Sequence, residues 1–382
     1  MTSSSESPEG ADPVGAAGSE SPEGEELVGA AGSESSEGAD PVESAPTERE
    51  TTSRSAWRTR RWLRWTAYGA AALVVVVLLG AIIPVSSSNL DARPDPTDDH
   101  AAAVARFEQL TGEEEELGVF EPCRSRLLDH GERVAVSVVL FHGLTNCPEQ
   151  FVEFGQELFD AGANVVVLRA PRHGLANGDG TAIGGVGKVG SLSAQELRDY
   201  ADDSIDVAAG LGDEVRVLGL SMGGVLAMWT AQFRDDVQRV VAVAPAISIP
   251  GLPHFVTTAF VNLGNRLPNF SLPGSSKLDH AYAGESTGAL SAMFLLARAN
   301  ENELTGRPAA ADEVVVVLNP DDEQVDVGEV RQLVERWEDA DGMVEIVDLP
   351  AVGLPHDVID KDQPDDDVDL VYPLLVDLVG PI

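Results

Sequence analysis

Apolar residues in the second two thirds of this chain come in short, β-branched runs separated by amphipathic stretches. Val134 to Phe141, Asn164 to Arg169, Glu214 to Leu218, Arg239 to Val243, Glu313 to Leu318 and Met343 to Val347 are such runs. They are nearly continuous rather than alternating, the pattern of strands buried on both faces. Between them Glu149 to Ala161, Ser193 to Gly210, Val225 to Ala231, Asp326 to Ala340 and Asp367 to Val379 carry helical periodicity. Gly162 stops the first, and Ser193-Ala194-Gln195-Glu196 opens the second as a capping box. Strands alternating with helices predict an α/β fold with a doubly wound, mostly parallel sheet. The core is expected over 132–249 and 312–382. The stretch 250–311 interrupts the alternation with Pro, Gly, apolar patches and a helix near Gly288 to Ala299, and reads as an inserted cap.

The N-terminal third follows different rules. Residues 1–53 are Ser, Glu, Gly, Pro and Ala with almost no large apolar side chains, so nothing offsets chain entropy and a disordered acidic tail is expected. Ser5 to Gly18, Ser19 to Gly32 and Ser33 onward repeat one fourteen-residue unit. The repeats lack an apolar face to stack and predict no solenoid. Residues 54–66 gather Arg54, Arg58, Arg60, Arg61 and Arg64 with Trp57, Trp62 and Trp65. Residues 67–85 are then uncharged and long enough to cross hydrocarbon. Arginines before this run, and Asp91, Asp95, Asp98 and Asp99 after it, predict a single-pass helix in the cell membrane. The N-terminus would be cytoplasmic and the rest of the chain extracytoplasmic. A cleaved signal peptide cut near Ser86-Ser87-Ser88 is the competing reading, but the tail and the apolar run exceed what such a peptide carries. Residues 86–131 read as a linker and lead-in.

The formal charge of −39 argues against nucleic acid as a partner, since phosphates would be repelled. Lys188, Lys277 and Lys361 are the only lysines, a bias shared by proteins of salty environments and by acidic proteomes that favour Arg. No cofactor or metal is required by any motif. The acidic run from Asp360 to Asp369 lacks the glycine and distal Glu of a calcium loop and reads as a solvated helix lead-in.

The chemistry is carried by Gly219-Leu220-Ser221-Met222-Gly223-Gly224, set between a strand and a helix. Such a turn lifts a serine hydroxyl off the sheet edge beside free helix N–H groups. Downstream, the strand ending at Leu318 leads into Asn319-Pro320-Asp321-Asp322, and the next into Leu354-Pro355-His356-Asp357. Upstream, Val134 to Phe141 runs into His142-Gly143-Leu144. Serine, acid, histidine is the chain order of one hydrolase fold and differs from the common serine-protease orders.

From about Glu132 onward the chain resembles the α/β-hydrolase superfamily, and within it the carboxylesterase and monoacylglycerol-lipase-like branch. The resemblance rests on Phe141 to Phe151, on the elbow at Ser221 and on the two later turns. It implies a triad of Ser221, Asp322 and His356, with Leu144 and Met222 N–H groups as the oxyanion hole. His142, Gly143, Gly219 and Gly223 support the elbow and loop. The usual glycine of the acid turn is Asn319, and Asp321 competes with Asp322; the family spacing selects Asp322. The implied activity is acyl-enzyme hydrolysis of carboxylic esters, small or lipid. Thioesterase, perhydrolase or peptidase chemistry and a non-catalytic binding module are the alternatives.

Cys123 and Cys147 both fall beyond the expected span, in a compartment where thiols oxidise. A bond between them would tie the lead-in to the His142 loop and contribute about 3 kcal/mol in the chain-entropy model. Two free buried thiols are the alternative.

Overall fold

The computed structural model describes residues 48–274, 276–304, 308–341, 344–364 and 366–382. Most of the expected acidic tail, together with Met343 and Asp365, lies outside the described residues. The chain divides into two units, Met1–Trp65 and Thr66–Ile382. Helix α1 (Glu48–Ile82) runs through the division. In the first unit the Arg61 guanidinium lies over the Trp57 ring, 4.7 Å from its centre. Between Trp57 and Ile82 the helix is long and apolar enough to cross a membrane, and none of its most apolar stretch is buried in the protein. The helix stops at Ile82, short of the expected Val85. Pro84 cannot donate the N–H that continuation would require.

The second unit is built on a seven-stranded sheet. In chain order its elements are α2 (His100–Thr111), β1 (Arg126–Leu128), β2 (Val134–Phe141), α3 (Val152–Asp160), β3 (Asn164–Val167), α4 (Ala194–Leu211), β4 (Gly212–Leu220), α5 (Met222–Phe233) and β5 (Arg239–Val243). Then come α6 (His254–Gly264), β6 (Ser271–Pro273), β7 (Gly284–Ser286), α7 (Thr287–Leu304), β8 (Glu313–Leu318), α8 (Val327–Asp341), β9 (Val344–Asp348) and α9 (Val368–Val379). The strand order is β1-β3-β2-β4-β5-β8-β9, and every pairing is parallel except β1 with β3. The strands expected over Val134–Phe141, Arg239–Val243 and Glu313–Leu318 have the same bounds in the structure. Their side chains are almost all buried, which is why a run rather than an alternation marks them. Ser193 caps α4 as a full capping box with Glu196.

The stretch 86–131 carries more structure than a linker. It holds α2, begun by Asp99 accepting the Ala102 N–H at 2.9 Å, and the antiparallel edge strand β1. Leu90 is buried, and its carbonyl accepts Trp229 Nε1–H at 2.7 Å. Buried Arg234 pairs with Asp202 and Asp206 of α4 at 2.9 and 2.8 Å, and those carboxylates also accept the Arg93 and Asp95 N–H groups. A buried charge persists only when paired and hydrogen-bonded in this way.

The insertion after β5 forms α6, the β6–β7 hairpin and α7. It reaches the sheet edge where Tyr282 N–H donates to the Thr145 carbonyl at 2.7 Å.

Candidate active site

Strand β2 is followed in the sheet by β3 on one side and by β4 on the other. The connections after β2 and β4 therefore leave in opposite directions, and a crevice opens at their C-terminal ends. The His142 loop follows β2 and the Ser221 turn follows β4, so both flank this switch point. The turns after β8 and β9, carrying Asp322 and His356, open on the same edge because these strands are parallel to β4.

Ser221 sits at φ 61°, ψ −111°, a conformation that costs about 1–3 kcal/mol for a residue with a side chain. Its N–H donates to the Val243 carbonyl at 3.0 Å, and its own carbonyl accepts the Val225 N–H at 3.0 Å. Gly219 and Gly223 permit this turn. A Cβ on Gly223 would overlap the Phe141 carbonyl, and one on Gly219 would overlap the Gly223 carbonyl. Gly143 is different: a Cβ there would meet only ordinary contacts. Its N–H is held by Gln150 Oε1 at 2.8 Å. Met222 opens α5, so its N–H is among those a helix leaves unsatisfied. The Leu144 N–H has no protein acceptor among the described residues.

Asp322 and His356 are brought together. The Asp322 side chain is fully buried, and its Oδ2 lies 2.6 Å from His356 Nδ1. Its Oδ1 accepts the Gln324 and Val325 N–H groups at 2.7 and 3.1 Å. The carboxylate is thus clamped by its own turn and can hold the ring with Nδ1 protonated and Nε2 free to accept. Asp321 turns away and accepts the Gly353 N–H at 2.7 Å. Asn319 donates to the Leu354 and Pro355 carbonyls at 3.0 and 2.9 Å and so fixes the histidine loop. Among the described residues no hydrogen bond joins Ser221 Oγ to His356. Such contacts commonly tighten only when substrate is bound.

His142 and His173 lie fully buried behind the loop, ring centres 5.3 Å apart. His142 Nε2 accepts the Ala170 N–H at 3.0 Å, so its Nδ1–H donates to the Gly143 carbonyl at 2.9 Å. His173 Nε2 faces the Leu144 carbonyl at 2.9 Å. Burial depresses both rings, to about 3 for His142 and about 4 for His173; His142 is thus a neutral brace, while His173 is held between two carbonyls, its Nδ1 3.0 Å from that of Pro171.

A buried polar network links the two loops, and sequence reasoning missed it. Gln150 Nε2 donates to Asp357 Oδ2 at 2.6 Å. Asn146 Nδ2 lies 3.2 Å from both Asp357 Oδ2 and Asp360 Oδ2. His280, from the inserted segment, pairs with Asp360 at 2.8 Å. The acidic run expected to be solvated thus begins with a buried member, Asp360. Burial, and then the charge of Asp360, raises the Asp357 carboxyl. Burial opposes the charged form of His280, but the hydrogen bond and charge of Asp360 outweigh it and raise its pKa. Asp357 carried a signal in the sequence through adjacency to His356, and Asn146 and Gln150 through their place in the stretch after His142.

Cys123 and Cys147 form a disulfide, with Cα atoms 5.2 Å apart. It joins the 3₁₀ turn Glu121–Cys123 to the start of Pro148–Phe151, just after the His142 loop. Burial raises the carboxyl of Glu285 in β7. His280, Asp360 and Asp362 place donor atoms within 4.8 Å of one another, a metal-compatible group, but Asp360 is engaged by His280 and Asn146. Two surface hollows of about 330 and 230 Å³ lie at Asp91–Phe233 and at His254–Arg336; neither is lined by Ser221, Asp322 or His356.

Residues 132–292 match the family model described as serine aminopeptidase, S33. A thermostable monoacylglycerol lipase from Bacillus sp. (strain H-257) is 26% identical over 147 residues, 37% of this chain and 51% of that protein. The chain thus spans about half the length of this curated relative. Among solved structures, a metagenome-derived lipolytic enzyme superposes with a TM-score of 0.52 at 16% identity, over 68% of this chain and 98% of the other. A monoacylglycerol lipase of Paleococcus ferrophilus gives 0.50 at 21% identity, over 64% and 93%. With the sheet order and the elbow in place, the chain has the α/β-hydrolase fold, and its similarities point to the monoacylglycerol-lipase-like branch of that superfamily.

Proposed function

We propose that the protein is a membrane-anchored serine hydrolase that cleaves carboxylic esters through an acyl-enzyme. The observation that carries this reading is the buried Asp322 held 2.6 Å from His356 on the sheet edge that also bears the Ser221 elbow. Ser221 Oγ attacks the ester carbonyl while His356 Nε2 takes its proton. Asp322 keeps the ring in the useful tautomer and stabilises its cation. The Met222 and Leu144 N–H groups receive the developing oxyanion, each donor contributing a few kcal/mol, roughly 3. His356 returns the proton to the leaving alcohol, and water, activated by the same ring, releases the acid.

The apolar helix through Ile82 supports anchoring in the cell membrane, N-terminus cytoplasmic and hydrolase unit extracytoplasmic. The monoacylglycerol lipase relatives support a lipid or small acyl ester as substrate.

The test is fluorophosphonate labelling and p-nitrophenyl ester hydrolysis by the full chain. Wild type should label and turn over, and Ser221→Ala should do neither while remaining folded. Turnover retained in Ser221→Ala would remove the nucleophile assignment. Labelling with cleavage of aminoacyl amides but not esters would assign peptidase chemistry instead.

A further inference from the structure

An α-helix leaves its last four carbonyls without partners. At the end of α1 the inserted segment supplies partners for two of them. Gly80 O accepts from Arg266 at 3.0 Å and Ala81 O from Asn262 Nδ2 at 2.8 Å. Just past the helix, Pro84 O accepts from Arg266 at 3.3 Å and Val85 O from Arg298 at 2.6 Å. The Val85 N–H returns a bond to Asn262 Oδ1 at 2.9 Å, and Asn262 is fully buried. No free spacer therefore separates the apolar helix from α6.

The surface around α6 is unlike the rest of the chain. Beyond α1 and Ile83 at its end, the exposed large apolar side chains among the described residues are Leu110, Leu117, Leu252, Phe255, Leu267, Phe270, Leu272, Val352 and Leu374. Five of them fall between 252 and 272, and Phe255 and Phe270 are 72% and 59% exposed. Helix α6 is about 16 Å long, so Leu252 and Phe255 at its start lie within that distance of the α1 contact at its end. The charge is also exceptional. In a chain of formal charge −39, residues 250 to 278 contain no Asp or Glu, while His254, Arg266 and Lys277 fall within them.

We infer that this face of the inserted segment lies on the bilayer, its apolar side chains seated in the headgroup layer of the leaflet that α1 leaves. The inference rests on the anchor reading of α1. Direct capping of the helix end fixes α6 where the chain exits hydrocarbon, exposed phenylalanines contribute by burial among acyl chains, and an acid-free segment limits repulsion by anionic lipid, with the neighbouring Glu301 and Glu329 drawn in against His254. The segment that reaches the Thr145 carbonyl is thereby the one touching lipid. The substrate this arrangement serves is an acyl ester dissolved in the membrane, delivered without crossing water.

The full chain is reconstituted in phosphatidylcholine vesicles with a minor share of phosphatidylglycerol. A nitrobenzoxadiazole label is placed on Phe255→Cys, Phe270→Cys or, at the opposite end of β4, Asp213→Cys. Acyl-chain-brominated lipid should quench the first two labels and spare the third, with the chain resistant to carbonate extraction. Phe255→Asp combined with Phe270→Asp should lower hydrolysis of a bilayer-dissolved long-chain ester at least about tenfold and leave p-nitrophenyl acetate hydrolysis unchanged. Unquenched labels on a carbonate-resistant chain would overturn the inference and leave the anchor standing. A chain stripped by carbonate would overturn both. A concentration-dependent apolar shift without lipid quenching would assign the face to a second copy of the chain, and also overturns it.

Discussion

Two histidine–aspartate pairs lie at the same edge of this molecule, and they differ in what surrounds them. His356 meets Asp322 at 2.6 Å, and His280 meets Asp360 at 2.8 Å. All four side chains are nearly or fully buried. Asp322 is clamped by two backbone N–H groups of its own turn, so it presents one oxygen in a fixed direction. Asp360 shares its Oδ2 between His280 and Asn146, and that network continues through Asp357 and Gln150 to the Gly143 N–H. The first pair stands on the strand edge that carries the Ser221 elbow. The second bridges the inserted segment to the two loops. The lesson is that a His–Asp contact does not define a catalytic dyad; the role is set by whether the other ring nitrogen is left for a nucleophile.

The largest expected effect breaks the comparison directly. Asp322→Asn should lower kcat on p-nitrophenyl esters by about 10⁴, through loss of the correct His356 tautomer. His280→Asn should change kcat by less than about threefold at neutral pH. Asp321→Asn should be similarly mild, because Asp321 serves the Gly353 N–H. Steady-state kinetics on folded variants would decide. A large loss in His280→Asn with a small one in Asp322→Asn would exchange the roles of the two pairs.

The next effect sharpens it with histidines of opposite behaviour. His142 and His173 titrate near 3 and 4 when folded, against about 6.5 in the unfolded chain. Below about pH 6.5 the unfolded chain binds protons that the folded chain refuses. Their stabilisation is therefore complete above that pH and falls as acid is added, by about 1.4 kcal/mol per pH unit for each ring. Denaturant midpoints measured from pH 7 down to pH 4 should drop steeply. A flat profile would show that neither ring is held neutral.

A third effect concerns the anchor of the network. Cys147 follows Asn146 and donates its N–H to Asn146 Oδ1 at 2.9 Å. Opening the Cys123–Cys147 bond should remove about 3 kcal/mol of stability and lower ester turnover as the His142 loop loosens. Thermal melts with and without reductant, followed by assay of the reduced protein below its melting range, would measure both. Two thiols titrating in the denatured, unreduced protein would refute the bond.

What the sequence made legible was local. The strands β2, β5 and β8 announce themselves as apolar runs, the capping box at Ser193 needs only neighbours three residues apart, and the elbow and its glycines form one contiguous stretch. The rest depends on partners far along the chain. β1 is three residues that become a strand only against β3. Asp202 and Asp206 read as the polar face of an amphipathic helix, and are buried only because Arg234 and the 91–95 backbone meet them. Asn262, Arg266 and Arg298 reach the end of α1 across more than two hundred residues in one case, a separation that leaves no periodic trace. Spacing put Asp322 before Asp321, while the two N–H groups folded back onto the Asp322 carboxylate and its contact with His356 are visible only in three dimensions.

The smallest effect isolates His280 itself. Its folded pKa is raised by Asp360 against the opposing effect of burial. The sign is then opposite to that of His142 and His173. Stabilisation from the His280–Asp360 pair is complete below the unfolded value of about 6.5 and is lost as pH rises through the raised folded value. The stability difference between wild type and His280→Asn should therefore be largest at pH 6 and shrink toward alkaline pH. Asp360→Asn should show the same trend, because either change removes the ion pair. Asp360→Asn also leaves the Asn146 amide facing another amide, so its kcat should fall more than that of His280→Asn if the network positions the Gly143–Leu144 segment. A wild-type-to-variant difference that grows with pH would mean that His280 is held neutral, and the second pair would then be a neutral brace of the same kind as His142.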